Sequence, residues 1–153
     1  MRGFRLGTKP FASAVKDAFG GMGAFYAGGR WNPPGCRMVY LAEVLSLSAL
    51  EVLVHLRQGK VSREFVFWEA KLPDNAVTAA TNLPEDWATN LEATRAWGEA
   101  WAASKDAPAV LVPSVIVPTE QNMLVNPEHP DFDLKWVVRG PEPFNFDPRL
   151  VMP

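Results

Sequence analysis

Ala109-Val110-Leu111-Val112-Pro113-Ser114-Val115-Ile116-Val117 is near-continuously apolar. A run of that kind reads as a strand buried on both faces. Pro113 has no N–H to give to a ladder, so it predicts a bulge or an edge within the run. Working outward, Phe4-Arg5-Leu6, Met38 to Ala42, Phe65 to Leu72, Asn122 to Val125 and Lys135 to Arg139 read as further strands. One helix is expected from Ser46 to Leu56, with Leu47, Leu50 and Val54 on its apolar face and Gly59 as its stop. A second runs from about Glu85 to Ser104, with Asn82 as cap and Pro84 in the first turn. Its face Trp87, Leu91, Thr94, Trp97, Trp101 reads as core, with a partner-docking surface as the alternative. Phe11 to Phe19 is a short helix, and Gly20 to Gly29 a glycine-rich loop around Phe25 and Tyr26. Strands outnumber helices and do not alternate regularly with them, which favours an α+β fold.

The chain has 153 residues, 48% hydrophobic and 21% charged, one domain's length with material for one core. A net charge of −2 excludes a generally basic, phosphate-coating nucleic-acid binder. No apolar run is long enough for a membrane span, and no apolar stretch follows Met1-Arg2-Gly3-Phe4-Arg5 to suggest a secretory signal. The expectation is a cytoplasmic protein. The net figure hides an asymmetry. Met1 to Ala42 holds six basic residues and one acid, Asp17, while the remainder holds nine basic and sixteen acidic residues. Either these are solvated faces, or the first segment handles an anionic ligand.

Nucleotide-loop, nucleophile-elbow, zincin and paired-cysteine motifs are absent from the sequence, and Gly20-Gly21-Met22-Gly23 does not fit a dinucleotide fingerprint. The polar residues in unusual places are more telling. Arg30 follows Gly28-Gly29, where a backbone can approach a ligand and a guanidinium can grip phosphate or carboxylate. It also reads as a turn arginine packed on Trp31. Glu51 lies on a mostly apolar helix, so it faces a cleft or closes a capping box with Ser48. Ser114 interrupts the apolar strand, a place where serine usually bonds backbone. Tyr40 ends a strand just before the helix. His55 is a candidate ion partner for Glu51 at i+4, His129 sits in a polar loop, and Cys36 beside Arg37 reads as a thiol of lowered pKa without a base partner. No metal set is expected.

Taken in order, these contexts resemble the RES domain family, the toxins of RES–Xre type II toxin–antitoxin pairs. The resemblance is carried by Gly28-Gly29-Arg30-Trp31-Asn32-Pro33-Pro34-Gly35, Val39-Tyr40-Leu41-Ala42-Glu43 and Ala49-Leu50-Glu51-Val52-Leu53-Val54-His55. It continues through Pro113-Ser114-Val115-Ile116-Val117 and Asn122-Met123-Leu124-Val125-Asn126-Pro127-Glu128-His129-Pro130-Asp131. The family's name-giving Arg, Glu and Ser fall on Arg30, Glu51 and Ser114. The resemblance implies a single RES domain over residues 1–153 with an ADP-ribosyltransferase-like mixed β-sheet core and flanking helices. It implies a toxin that breaks the nicotinamide–ribose bond of NAD+, by hydrolysis or phosphorolysis, and so arrests growth. An ADP-ribosyltransferase acting on a cellular protein is the alternative within the enzymes, and a catalytically silent binding module the alternative outside them.

On this reading Glu51 stabilises positive charge on the ribose and Arg30 holds the pyrophosphate, with Arg5 and Arg37 as possible neighbours. Tyr40 stacks on nicotinamide or holds its ribose. Ser114 positions that ribose or an acceptor, and Asn126 is a further ligand-binding candidate. The resemblance also implies an Xre-type helix-turn-helix antitoxin covering the active site, and allows a homodimer.

Overall fold

The computed structural model describes residues 1–56 and 64–150, so Gly59 lies outside the described residues. Seven strands form one mixed sheet: β1 (Arg2–Thr8), β2 (Val39–Ala42), β3 (Phe65–Lys71), β4 (Val77–Ala79), β5 (Ala109–Pro113), β6 (Gln121–Val125) and β7 (Val137–Phe144). Their order is β4-β5-β6-β2-β1-β3-β7, and β4–β5 is the parallel pair. The helices are α1 (Lys9–Ala12), α2 (Val15–Phe19), α3 (Met22–Ala27), α4 (Leu45–Leu53) and α5 (Leu91–Ser104). The expected α+β class, a mixed sheet with flanking helices, is what the chain forms. No described helix is long and apolar enough to cross a membrane.

Side-chain alternation along the strands gives the sheet two apolar faces. Val39, Leu41, Met123, Val125, Val66, Trp68 and Ala70 point to one face, under Ala12, Ala18 and Phe19 of α1 and α2. The other face is divided. Met38, Val110, Val112 and Leu124 pack with Trp31, Trp87, Trp97 and Trp101. Leu6 and Phe65 pack with Ala49, Val52 and Leu53 of α4. The three tryptophans and Thr94 of the expected face are thus turned toward the core, whereas Leu91 is exposed.

Between those two clusters the sheet splits. β1 pairs with β3 over seven residues and β2 with β6 over four, but β1 and β2 share one pair, Phe4 with Ala42. Continuing that register would set Leu6 opposite Tyr40. Side chains take the place of that pair instead. The Leu6 N–H donates to Ser48 Oγ at 3.0 Å, and the Tyr40 carbonyl accepts from Arg5 Nη1 at 3.2 Å. The Leu6 N–H and the Tyr40 carbonyl, both freed by the split, are therefore satisfied rather than orphaned.

Several expectations change. The apolar run 109–117 stops being a strand at Pro113, which lies past the end of β4 where β5 has β6 on one side only. The chain turns at Ser114, whose N–H bonds the Glu120 carbonyl. Helix α4 starts at Leu45 with Val44 at the N-cap, so Ser48 and Glu51 form no capping box. Helix α5 starts at Leu91, capped by the Asn90 side chain accepting from Ala93 N. Asn82 sits in a turn at positive φ and Trp87 in another turn before the helix. The Phe11 to Phe19 helix is broken into α1 and α2, and much of the glycine-rich stretch is helix α3. The final strand begins at Val137, after a 3-10 turn at Leu134–Trp136, and reaches Phe144.

Helix α5 lies close to the Trp31 backbone because residue 98 is glycine. A Cβ there would overlap the Trp31 carbonyl. Gly98→Ala is therefore expected to destabilise the protein by about 1–3 kcal/mol, the usual cost of overpacking. Gly23→Ala, in a helix with open space around it, should cost nothing or add about 0.5–1 kcal/mol. Denaturant melts of the two variants check the contrast.

Candidate active site

The split in the sheet opens into a cavity of about 490 Å³. Its walls come from β1, β2, α4 and the segment that leaves α3. Arg5, Arg30, Tyr40, Glu51, His55 and Asn122 all line it.

Glu51 projects from α4 and is freed for the cavity because it has no capping work to do. Its Oε1 accepts from Ser114 Oγ at 2.9 Å and from Asn122 Nδ2 at 2.6 Å. Ser114 is fully buried, and its Oγ accepts from the N–H groups of Ile116 and Val117 at 3.1 Å each. The serine therefore does bond backbone, as serines in such places usually do, and also reaches Glu51. The fully buried hydroxyl is turned to Glu51, and Ser114 does not itself line the cavity.

Arg30 is carried by the loop from Gly28 to Asn32, which is held from three sides. Tyr40 lies beneath it: its hydroxyl donates to Asn32 Oδ1 at 2.6 Å and accepts from Trp31 N at 3.0 Å. A Cβ on Gly29 would strike that hydroxyl. Asn32, fully buried, donates to the carbonyls of Ala24, Pro33 and Cys36. Helix α5 grips the loop backbone through Thr94 Oγ1 to the Arg30 carbonyl at 2.7 Å and Arg95 Nε to the Gly29 carbonyl at 2.8 Å. Trp31 then stacks on Trp87, with ring centroids 6.2 Å apart. The Arg30 guanidinium reaches the carbonyls of Trp87 and Ala88 through long bonds of 3.4 and 3.3 Å.

The basic N-terminal segment resolves into two kinds of cation. Arg2 pairs with Glu69, Lys9 with Glu64 and Arg37 with Glu128. Arg5 and Arg30, which line the cavity, make no ion pair among the described residues. Burial pushes the Arg5 guanidinium down to about 10, and its Nε has no hydrogen-bond partner. A half-buried cation with no carboxylate partner among the described residues favours an anion beside it. Burial also raises the Tyr40 phenol well above its ordinary value, so it stays a neutral donor.

Among the described residues these features make a pocket with one carboxylate and two guanidiniums outside any ion pair, inside a sheet whose own hydrogen bonds have been rerouted to make room. A family model described as RES domain matches residues 4–147. The chain belongs to the RES domain family. Over 136 residues it is 38% identical to Toxin Res of Yersinia enterocolitica, covering 85% of this chain and 88% of that relative. It is 37% identical over 143 residues to the Prs ADP-ribosylating toxin of a Sphingobium species, covering 88% of each. Toxin Res of Photorhabdus laumondii is 34% identical over 141 residues, covering 90% of each.

The structure of this RES domain brings Arg30, Tyr40 and Glu51 to one cavity and sets Ser114 directly behind Glu51. Asn126 is not among them. It is buried elsewhere, donating to the Ala102 carbonyl and accepting from Glu128 N. Arg37 points to Glu128 rather than to the cavity. His55 lines the RES pocket but makes no ion pair with Glu51 among the described residues. His129 is buried against Lys105 and Asp131. The Cys36 thiol is pushed up by burial and then by Glu99 and Glu128, opposite to the lowering expected from Arg37. Asn122, which in sequence opens a strand and one of the resemblance-carrying stretches, lines the cavity against Glu51 without being among the expected site residues. Its contact with Glu51 is made across 71 residues of sequence, so no local spacing signals it.

Tyr40→Phe should destabilise the RES domain by about 1–3 kcal/mol, because Asn32 Oδ1 and Trp31 N lose their partner. The folded phenol titrates above the unfolded one, so its contribution is complete below about pH 10 and is lost as pH rises beyond that. Denaturant melts at several pH values should show the gap between wild type and Y40F shrinking above pH 10.

Proposed function

We propose that this RES domain is a toxin that consumes NAD+ by breaking its nicotinamide–ribose bond. The observation that carries the reading is the convergence of Glu51 and Arg30 on one cavity of about 490 Å³. That volume suits a small-molecule or cofactor-sized ligand. Arg5 and Arg30 supply positive charge without carboxylate partners, which suits a pyrophosphate. The toxin names of the relatives support the same reading.

In the proposed step the C–N bond electrons leave with nicotinamide, and positive charge develops on the ribose. The Glu51 carboxylate, fixed through Oε1, stabilises that charge. An acceptor oxygen then bonds the same ribose carbon and gives up its proton. Water or phosphate as acceptor makes the protein an NAD+-degrading enzyme. A protein side chain makes it an ADP-ribosyltransferase, the second reading, favoured by the name of the Sphingobium relative. Tyr40 holds the Arg30 loop and offers its ring to the ligand, and Ser114 serves Glu51 from behind. NAD+ is substrate in this scheme, and no metal enters it. An Xre-type helix-turn-helix antitoxin covering the cavity, in the cytoplasm, completes the proposal.

Purified protein with NAD+, with and without phosphate, is the test. Nicotinamide should appear together with ADP-ribose, its phosphate adduct, or label on an added protein. Glu51→Gln and Arg30→Ala should each lower turnover by about 10²-fold or more while the protein stays folded. Undiminished NAD+ loss in folded Glu51→Gln overturns the mechanism.

A further inference from the structure

We propose that Asn122 is a positioning residue for Glu51, acting with Ser114 to hold one carboxylate oxygen and leave the other to the ligand. The proposal rests on the reading of Glu51 as the acidic group of the cavity. Val112 and Asn122 are paired in register, so the end of β5 and the start of β6 bring Ser114 and Asn122 to the same place. Glu51 arrives there from α4. Its Oε1 receives both donors, at 2.9 and 2.6 Å, while its Oε2 has no hydrogen bond among the described residues.

The chemistry fixes the direction of each bond. An ionised carboxylate only accepts, so the Asn122 amide must turn its NH2 toward Glu51. The Ser114 hydroxyl has one proton. Its oxygen already accepts from the Ile116 and Val117 N–H groups, so that proton goes to Glu51. Two donors, one from the β5–β6 turn and one from β6, therefore fix a side chain that carries three rotatable bonds, and they leave Oε2 as its free acceptor. Holding a charged group in place before the reaction is where an enzyme gains most from electrostatics. Asn122 does this with a neutral donor. An aspartate of the same shape would set a second carboxylate 2.6 Å from the first, where both cannot ionise together.

That contrast makes the role testable through Asn122→Asp and Asn122→Ala. At pH 8 both variants should lose about 10²-fold or more in kcat with KM changed little. Towards pH 5.5 the Asp variant should recover about tenfold relative to wild type, because one shared proton restores an O–H donor to Glu51. The Ala variant should not recover. Loss without acid recovery in N122D, or activity within twofold of wild type in both variants, overturns the proposal.

Melting curves give a readout that needs no NAD+. A carboxyl whose folded pKa is raised stabilises below its unfolded value and ceases to as pH rises through the folded one. N122D should therefore lose melting temperature relative to wild type between pH 5.5 and 8. Parallel melting of N122D and wild type, or failure to fold at both pH values, overturns the proposal. Wild type that consumes no NAD+, with the N122D melting shift intact, would sink the NAD+ reading and leave the clamp standing.

Discussion

The hydrogen bond that a regular sheet would make between Leu6 and Tyr40 is missing, and the site is organised around its absence. A buried strand cannot leave its N–H and C=O groups unpaired. Here Ser48 takes the N–H of one strand and Arg5 the carbonyl of the other. Both substitutes are polar side chains lining the gap they create. The cost of breaking the ladder and the construction of the cavity are one event. It also explains why Ser48, which reads as a helix cap, sits instead inside α4.

The cavity then draws its chemistry from opposite sides. The Arg30 loop is fixed by Tyr40, Asn32 and α5, and the Glu51 side chain by the β5–β6 turn and β6. Neither anchor relies on exposed ion pairs, which are weak and salt-sensitive. Each uses part-buried hydrogen bonds with few alternative partners. Such bonds specify geometry well because leaving any of them unmade is expensive. Arg30 and Glu51 are thus supported by a larger set. Thr94, Arg95 and Gly98 hold the arginine loop, and Asn122 touches the glutamate.

Much of the fold was legible because β2, β3 and β6 are short apolar runs bounded by turn residues. The misses have physical causes. β4 is three residues long and follows β5 in parallel from its side, so no local pattern marks it. Val115 to Val117 looks like strand but has left the ladder at Pro113, and periodicity alone does not sense a missing neighbour. The start of α5 was placed early because Asn82 and Pro84 form a plausible entry, while Asn90 makes the actual cap. Arg30 and Glu51 could be singled out by their odd contexts. Whether Glu51 capped a helix or faced a cleft depended on Val44 holding the cap position, a one-turn difference. Asn122 and the Arg5–Tyr40 contact are long-range and left no trace in spacing.

A sheet joined across its middle by the single pair of Phe4 and Ala42 has a seam. On either side of it the strands are well knitted. The seam itself is closed by two side-chain bonds, with the cavity between them. A small molecule seated there acts as mortar as well as cargo, joining the two halves of the sheet. Binding of that sort adds to folding free energy by mass action, about 2.7 kcal/mol at a hundredfold excess over Kd.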